Sequence, residues 1–280
     1  MRDRNRDSQK DSKNNGLALS AFAVGMILLT FTSAHASEGE KPAGAELARQ
    51  SDQAQRSDSE HNVMTMTLEN SRGQQRVRTI EGYSKELDDN EEHRFVKFLK
   101  PSDVKDTTLL TYDYRENDDD IWLYLPALKK VKRILSSNKT DYFMGSDFSY
   151  WDMENLDLAN WEYRVTGEET LEGVDCWILE ATPLNEDERK ESGYDKTVSW
   201  IGKTDMLPRR VDYHDTKGRH AKRLTTGDIR PTSADDPRPR AHRLTMENYI
   251  TKHKTVLVMD TLELDVTVDE EIFSQRNMRQ

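Results

Sequence analysis

The chain has 280 residues, of which 33% are charged and 34% hydrophobic, and its net charge is −11. The surplus of acids argues against a nucleic-acid partner, since phosphate contacts need a basic surface, and the low apolar content excludes a polytopic membrane protein. The single cysteine excludes an internal disulfide, and no Cys/His spacing predicts a zinc site.

Residues 1–36 have the layout of a secretory signal peptide. A basic start precedes an apolar run at 17–32 and the small-residue pattern Ala34-His35-Ala36, which predicts cleavage after Ala36. The alternative is an uncleaved membrane anchor, but the apolar run is shorter than the ~20 residues that span a bilayer. We therefore expect a periplasmic protein in which residues 37–280 form one domain.

Residues 42–57 predict a helix that begins at a proline and is rich in Ala, Glu, Gln and Arg. Beyond it the apolar pattern has period two, which is typical of strands. The predicted strands are 61–69, 74–83, 92–100, 107–114, 120–125, 129–135, 161–167, 174–182, 195–202, 206–213, 219–226, 240–250 and 254–265. We expect an irregular or partly helical segment at 136–160, a surface loop at 228–239 and a short helix near 269–277.

So many short strands without long helical spacers favour a mainly β fold, with an antiparallel meander, sandwich or barrel as the open alternatives. One face of the strands is apolar, as in 195–202, where Val198 and Trp200 oppose Thr197 and Ser199. An apolar face must be covered. The pattern therefore leaves two hypotheses, a hydrophobic cavity and a core filled by side chains.

The sequence has no recognised catalytic motif, so we expect no enzyme, cofactor or metal. Asp212 and His214 share a strand face and could form a base and its orienting group, although the adjoining turn 216–218 favours an exposed hairpin end. The acidic run 117–120 could bind a cation but lacks EF-hand spacing, which favours a solvated turn. Cys176 lies in an apolar strand and is most simply a small core residue.

Two aromatic segments stand out, at 121–134 and 143–151. The first joins an aromatic strand to a basic strip that suits an anionic headgroup or an acidic partner; a solvated strand face paired with nearby acids is the alternative. The strip consists of Lys129, Lys130, Lys132 and Arg133. The second segment could be a lid or cavity wall, or a loop packed on the sheet.

These same residues resemble the outer membrane lipoprotein-sorting family of LolA-like periplasmic proteins. The matching elements are FVKFLKPSDVKDTTLLTY (95–112), DDIWLYLPALKKVKRI (119–134), FMGSDFSYWDM (143–153), GVDCWILEATP (173–183), VSWIGKTDMLPRRVDYHD (198–215) and DEEIFSQRNM (269–278). The resemblance covers most of 60–280. One departure is Asp106, which stands where the family pattern has a glycine.

The resemblance implies an unclosed antiparallel β-barrel with a few short helices over its concave apolar face. It implies a carrier that holds acyl chains of a lipoprotein or lipid and ferries them towards the outer membrane, with transient membrane contact and an RND/MMPL-type exporter as partner. The residues expected to bind lipid are Trp122, Tyr124, Phe143, Phe148, Trp151 and Trp200, with the basic strip facing a headgroup or partner. The alternative is a periplasmic sensor of the RseB/MucB type that binds lipid or lipoprotein and a membrane regulator.

Overall fold

A computed structural model describes residues 42–88, 91–114, 119–155 and 157–280. The predicted signal peptide lies outside these residues. Within them the backbone forms two helices, α1 (Gly44–Gln55) and α2 (Glu186–Ser192). It also forms thirteen strands: β1 (Ser59–Glu69), β2 (Gln75–Asp88), β3 (Glu91–Lys100), β4 (Thr108–Tyr114), β5 (Asp120–Leu125), β6 (Lys130–Ile134), β7 (Trp161–Leu171), β8 (Val174–Pro183), β9 (Tyr194–Gly202), β10 (Pro208–Asp215), β11 (His220–Pro231), β12 (Pro239–Asn248) and β13 (His253–Leu264).

All thirteen strands belong to one antiparallel sheet in the order β6-β5-β4-β3-β2-β1-β13-β12-β11-β10-β9-β8-β7. Every strand pairs with the next one in sequence, except that β6 does not pair with β7. The two halves of the sheet are joined because β1 also pairs with β13, from Glu60 opposite Leu264 to Glu69 opposite Lys254. The two edge strands, β6 and β7, are joined by residues 135–160, here called the crossing segment. This confirms the predicted mainly β, unclosed antiparallel barrel. The barrel is open between the edge strands β6 and β7.

The inner face of the sheet is covered by the crossing segment and by α1. Phe143 and Tyr150 of the segment pack against Phe98 and Ile121 in one core cluster, and Phe148 packs with Trp161 and others in a second. The segment contains short 3₁₀ turns but no longer helix among its described residues. The irregular structure predicted for 136–160 is thus confirmed, and it places large aromatic side chains inside the curled sheet.

The outer face of β3 to β5 is covered by residues 265–280. Phe273 and Met278 pack against Phe95 and Leu110, and Tyr112 Oη donates to the Phe273 carbonyl at 2.7 Å. In place of one short helix near 269–277, this tail forms two 3₁₀ turns, Glu270–Ile272 and Asn277–Arg279. The conformation of the tail is determined by this packing rather than by helix propensity.

Three further local features either differ from the predictions made from sequence or account for a feature of the sequence. The loop predicted at 228–239 is shorter, since β11 extends to Pro231 and β12 begins at Pro239. Helix α2 was not predicted; Asn185 caps it by accepting from the Glu188 amide, and Gly193 ends it in the left-handed region. Asp106 has φ +63°, which explains why glycine suits that position.

In the part of the chain that the structure describes, none of the helices has the length and apolar content needed to cross a membrane.

Candidate functional site

A cavity of about 530 Å³ lies between α1 and the inner face of the sheet. Its volume is within the ~300–1,000 Å³ of typical small-molecule sites. Strands from both halves of the sheet contribute to its wall, because the sheet curls around it. The crossing segment fills the inner face on one side of the cavity, with Phe143, Phe148 and Tyr150 buried.

Helix α1 forms one wall of the cavity because a glycine lets it lie against β7. A Cβ atom on Gly44 would come within 2.3 Å of the Tyr163 carbonyl oxygen, so only glycine permits this approach. Leu47 and Ala48 then pack against Leu179 and Ile201 of the sheet. The next turns of the helix present their side chains to the cavity.

The cavity wall has an apolar part on the strands. It is lined by Met64, Val96, Leu179, Ala181, Ile201, Val211 and Tyr213, together with Leu158 of the crossing segment. The strand positions alternate with residues of the outer face, as expected for a sheet whose side chains have period two. Such a surface can contact an acyl chain without losing hydrogen bonds.

Another part of the wall, next to Met64 and Val96 on β1 and β3, is polar. Glu60 Oε1 accepts from Asn62 Nδ2 at 2.7 Å, and Arg94 Nη2 donates to Asp113 Oδ2 at 2.6 Å. Burial raises the pKa of Glu60 above its usual value, despite the hydrogen bond from Asn62. The cavity is therefore amphipathic, with one apolar and one polar end.

The crossing segment is held in place by buried ion pairs. Lys139, which is 5% exposed, lies 3.1 Å from Asp119, 2.8 Å from Glu154 and 2.6 Å from Glu191. Burial alone would lower the pKa of Lys139, but these carboxylates outweigh it and keep the amine charged. Burial outweighs the attraction of Lys139 and raises the pKa of Glu154.

Further contacts tie the crossing segment to strands on both halves of the sheet. Asp152 pairs with Lys222 at 2.8 Å and accepts from Tyr194 Oη at 2.8 Å. Arg78 and Arg94 donate to the carbonyls of Met144 and Met153, each at 2.6 Å. The segment therefore spans the inner face from β2 and β3 to β11.

The six aromatic residues predicted to bind lipid do not lie together. Trp151 lines the cavity and packs edge-on to Tyr194 at 5.4 Å. Phe143 and Phe148 are buried in the clusters that the crossing segment makes with the inner face. Lipid binding by these three residues stays a prediction, and Trp151 has access to the cavity.

The other three aromatic residues lie on the outer face. Trp122 and Tyr124 alternate with Ile121 and Leu123, which point inwards, and they pack beside the C-terminal tail. Trp200 stacks under the Arg210 guanidinium at 3.9 Å and donates to Glu169. None of these three side chains lines the cavity, and lipid binding by them stays a prediction.

The basic strip lies on the edge strand β6 and on the turn before it. Lys130 and Lys132 pair with Leu125 and Leu123 of β5, whereas Arg133 pairs with Trp122, so the strip is divided between the two faces. Arg133 forms an ion pair with Asp120, and the three lysines have no carboxylate within 4.0 Å among the described residues. Charged edge strands also prevent unwanted pairing with other chains.

The other chemical candidates are not assembled into a reactive site. Asp212 is hydrogen-bonded by Arg210 and Arg223 rather than by His214, and His214 stacks on His220. Cys176 is fully buried, as the core interpretation requires. In the described ranges no cluster of His, Cys, Asp or Glu could hold a metal ion; 117 and 118 of the acidic run lie outside them.

The polar residues that shape the site could not be recognised from sequence. They are Glu60, Asn62, Arg94, Lys139 and Asp152, in otherwise ordinary strand or loop sequences. Glu60 and Asn62 pair with each other, whereas the other three contact residues farther away in the chain, such as Asp152 with Lys222. No local pattern signals such pairs.

Comparisons with known proteins agree with this architecture. A family model described as that of an uncharacterized protein matches residues 90–280, and no curated protein matches the chain. A solved domain from Vibrio parahaemolyticus, assigned to outer membrane lipoprotein sorting, is 31% identical with a TM-score of 0.78; the match covers 85% of this chain and 98% of that one.

Two other solved structures are similar. A DUF1329 family protein from Desulfovibrio piger is 33% identical with a TM-score of 0.76, over 84% of this chain and 97% of that one. A LolA superfamily protein from Nitrosomonas europaea is 16% identical with a TM-score of 0.66, over 85% and 100%. The last likeness is one of fold alone.

Proposed function

Since this chain belongs with the outer membrane lipoprotein-sorting and DUF1329 family proteins, we propose that it is a carrier of acyl chains. The observation that supports this most directly is the cavity of about 530 Å³ between α1 and the sheet. An acyl chain of a lipoprotein or lipid would lie along the apolar part of its wall.

The size of the cavity suits a carrier that must also release its cargo. Each buried CH₂ group contributes ~0.8 kcal/mol, so a sixteen-carbon chain offers about 12 kcal/mol before the costs of binding. Because the crossing segment already fills part of the inner face, several chains would not be buried in full. Partial burial keeps affinity below the level at which release becomes very slow.

The place of action in this proposal is the periplasm. The predicted signal peptide, residues 1–36, would direct export with cleavage after Ala36. Cargo would then move towards the outer membrane, with an RND/MMPL-type exporter of the inner membrane as the donor. The role is one of binding rather than catalysis.

Handover to a membrane would use the turn between β5 and β6 and the strip that follows it. Leu128 in this turn is 62% exposed, and Lys129, Lys130 and Lys132 beside it have exposed side chains. An exposed apolar side chain next to cations matches the chemistry of an anionic bilayer surface.

The carrier proposal is tested by filling the cavity. Ser199 of β9 lines it, so Ser199→Phe should place a ring in the space that an acyl chain occupies. We expect native mass spectrometry with lipid extraction to find a diacyl lipid or acylated peptide on the wild-type protein and at least tenfold less on the variant.

Val198→Phe is the matched control, because residue 198 points to the outer face and pairs with Asp212. It should keep its cargo. An empty wild-type protein that also fails to bind fluorescent fatty acids would contradict the carrier. If such a protein instead formed a stable complex with a single-pass membrane protein, the sensor alternative would replace it.

A further inference from the structure

The polar end of the cavity contains a carboxylate and an amide that lack full complements of partners. Asn62 is 8% exposed, and its Nδ2 donates to Glu60 Oε1 at 2.7 Å. An ionised carboxylate only accepts hydrogen bonds, so the amide must turn its nitrogen to Glu60 and its oxygen away. Asn62 Oδ1 has no hydrogen-bond partner among the described residues.

A glycine makes room for this arrangement. A Cβ atom on Gly82 would lie 2.8 Å from Asn62 Oδ1, so any larger residue would displace the amide. Gly82, Asn62 and Glu60 all line the cavity. A buried acceptor without a partner is unfavourable, and a ligand that donates a hydrogen bond to it would remove that penalty.

The charges around the cavity decide which ligand fits. Its lining includes six acidic residues and two arginines: Asp52, Glu60, Glu86, Glu92, Asp152 and Glu154, with Arg56 and Arg94. Most of these acids have a cation or amide donor close by, such as Arg56 for Asp52 and Asn155 for Glu92.

Glu60 and Glu92 are the two acids of the wall that have no cation within 4.0 Å in the described part of the chain. Arg94 and Arg240 act on Glu60 only at longer range. An anionic group placed here would meet this carboxylate directly. A donor group would satisfy both Glu60 and Asn62.

We propose that the polar end of the ligand is a hydrogen-bond donor, a hydroxyl or an ammonium group, held by the Glu60 carboxylate and Asn62 Oδ1. Its acyl chain runs along the apolar wall. This inference rests on the proposed carrier function, which it deepens by naming the chemistry of the cargo's polar end.

Three ligands with one chain length test the inference. Decylamine, decanol and decanoate would displace the neutral fluorophore N-phenyl-1-naphthylamine from the purified protein at pH 7.5. We expect decylamine and decanol to bind at least tenfold more tightly than decanoate. The order of the first two identifies the donor as an ammonium or a hydroxyl group.

Two variants test whether Glu60 and Asn62 cause the preference for ligands with a donor group. Glu60→Gln removes the negative charge at nearly constant shape, and it should reduce the preference for decylamine over decanoate to less than threefold. Asn62→Leu removes the free acceptor and should weaken the binding of decanol. Glu162→Gln, on an exposed position of β7, makes the same charge change away from the cavity and should leave all three affinities unchanged.

The outcomes separate the two proposals. If none of the three ligands displaces the fluorophore from a folded protein, the carrier function itself is contradicted. If all three bind but decanoate binds as tightly as the others, or Glu60→Gln changes nothing, the carrier stands and the donor headgroup is overturned.

Discussion

Asp212 illustrates how single charged residues are stabilised on the outer face of this sheet. Arg223 donates to both of its carboxylate oxygens, at 2.6 and 2.9 Å, and Arg210 donates from the other side. Burial alone would raise the pKa of Asp212, but the two arginines outweigh it and hold the pKa at about 2. Paired arginine forks of this kind are strong because each bond is charge-assisted.

Because the folded-state pKa of Asp212 is below its unfolded value of 3.8, ionised Asp212 stabilises the fold above about pH 4. That contribution is lost as the pH falls through about 2. We expect Asp212→Asn to lower the free energy of unfolding by about 2 kcal/mol at pH 7. Urea denaturation at pH 7, 4 and 2.5 measures the difference.

The difference in the free energy of unfolding between the wild type and Asp212→Asn should become smaller between pH 4 and pH 2.5. Asp187→Asn serves as the control, because this side chain is 99% exposed, and it should change little at any pH. A constant difference across the three pH values would mean that the carboxylate charge does not stabilise the fold.

At the scale of elements, the position of the crossing segment in the fold depends on one lysine. Lys139 contacts three carboxylates from three different parts of the chain, so it joins the segment both to the start of β5 and to α2. Removing one partner of a buried ionic cluster leaves uncompensated charge in a poorly solvated place.

We therefore expect Lys139→Ala to lower the free energy of unfolding by about 3–5 kcal/mol, measured by urea denaturation at pH 7. Lys190→Ala, at a side chain that is 66% exposed, should cost less than about 0.5 kcal/mol. Equal stability of the two variants would show that the segment is held by its aromatic packing instead.

Strand positions could be predicted from sequence because most strands carry an apolar inner face. The predicted strands ended too early at the C-terminal ends of β2, β7 and β11, where the apolar alternation fades. In β2, for example, residues 84–88 are mostly polar, and Lys85 forms an ion pair with Glu270 far along the chain. Helix α2 has no apolar periodicity, so only its caps reveal it.

The orientation of the aromatic residues could not be predicted from sequence. In β5, Ile121, Trp122, Leu123 and Tyr124 are all apolar or aromatic, so alternation gives no signal. The reason is that both faces are covered there, the inner one by the crossing segment and the outer one by the tail. Which face borders the cavity depends on these distant packing partners.

At the scale of the whole molecule, the basic strip contrasts with a chain of net charge −11. Each lysine near an anionic bilayer is worth about 1 kcal/mol, and the attraction fades with salt. We expect the triple variant Lys129→Glu, Lys130→Glu and Lys132→Glu to reduce cosedimentation with phosphatidylglycerol-containing vesicles more than tenfold at low salt.

A matched triple variant reverses three exposed cations elsewhere, Arg49, Arg164 and Lys190. It has the same net charge, so it corrects for general repulsion from the vesicles. If both triple variants lose binding equally, overall charge rather than the strip controls membrane contact.

The pairing of β1 with β13 has a consequence for how the protein is made. Synthesis runs from the amino terminus, so β1 is complete long before β13, whose residues pair with it at separations of about 200 positions. Until then, β1 is an open edge of a half-built sheet, able to pair with other chains. Contacts of such sequence separation close slowly. We therefore expect folding to finish only after the chain is complete, which would make a protecting chaperone most valuable during that interval.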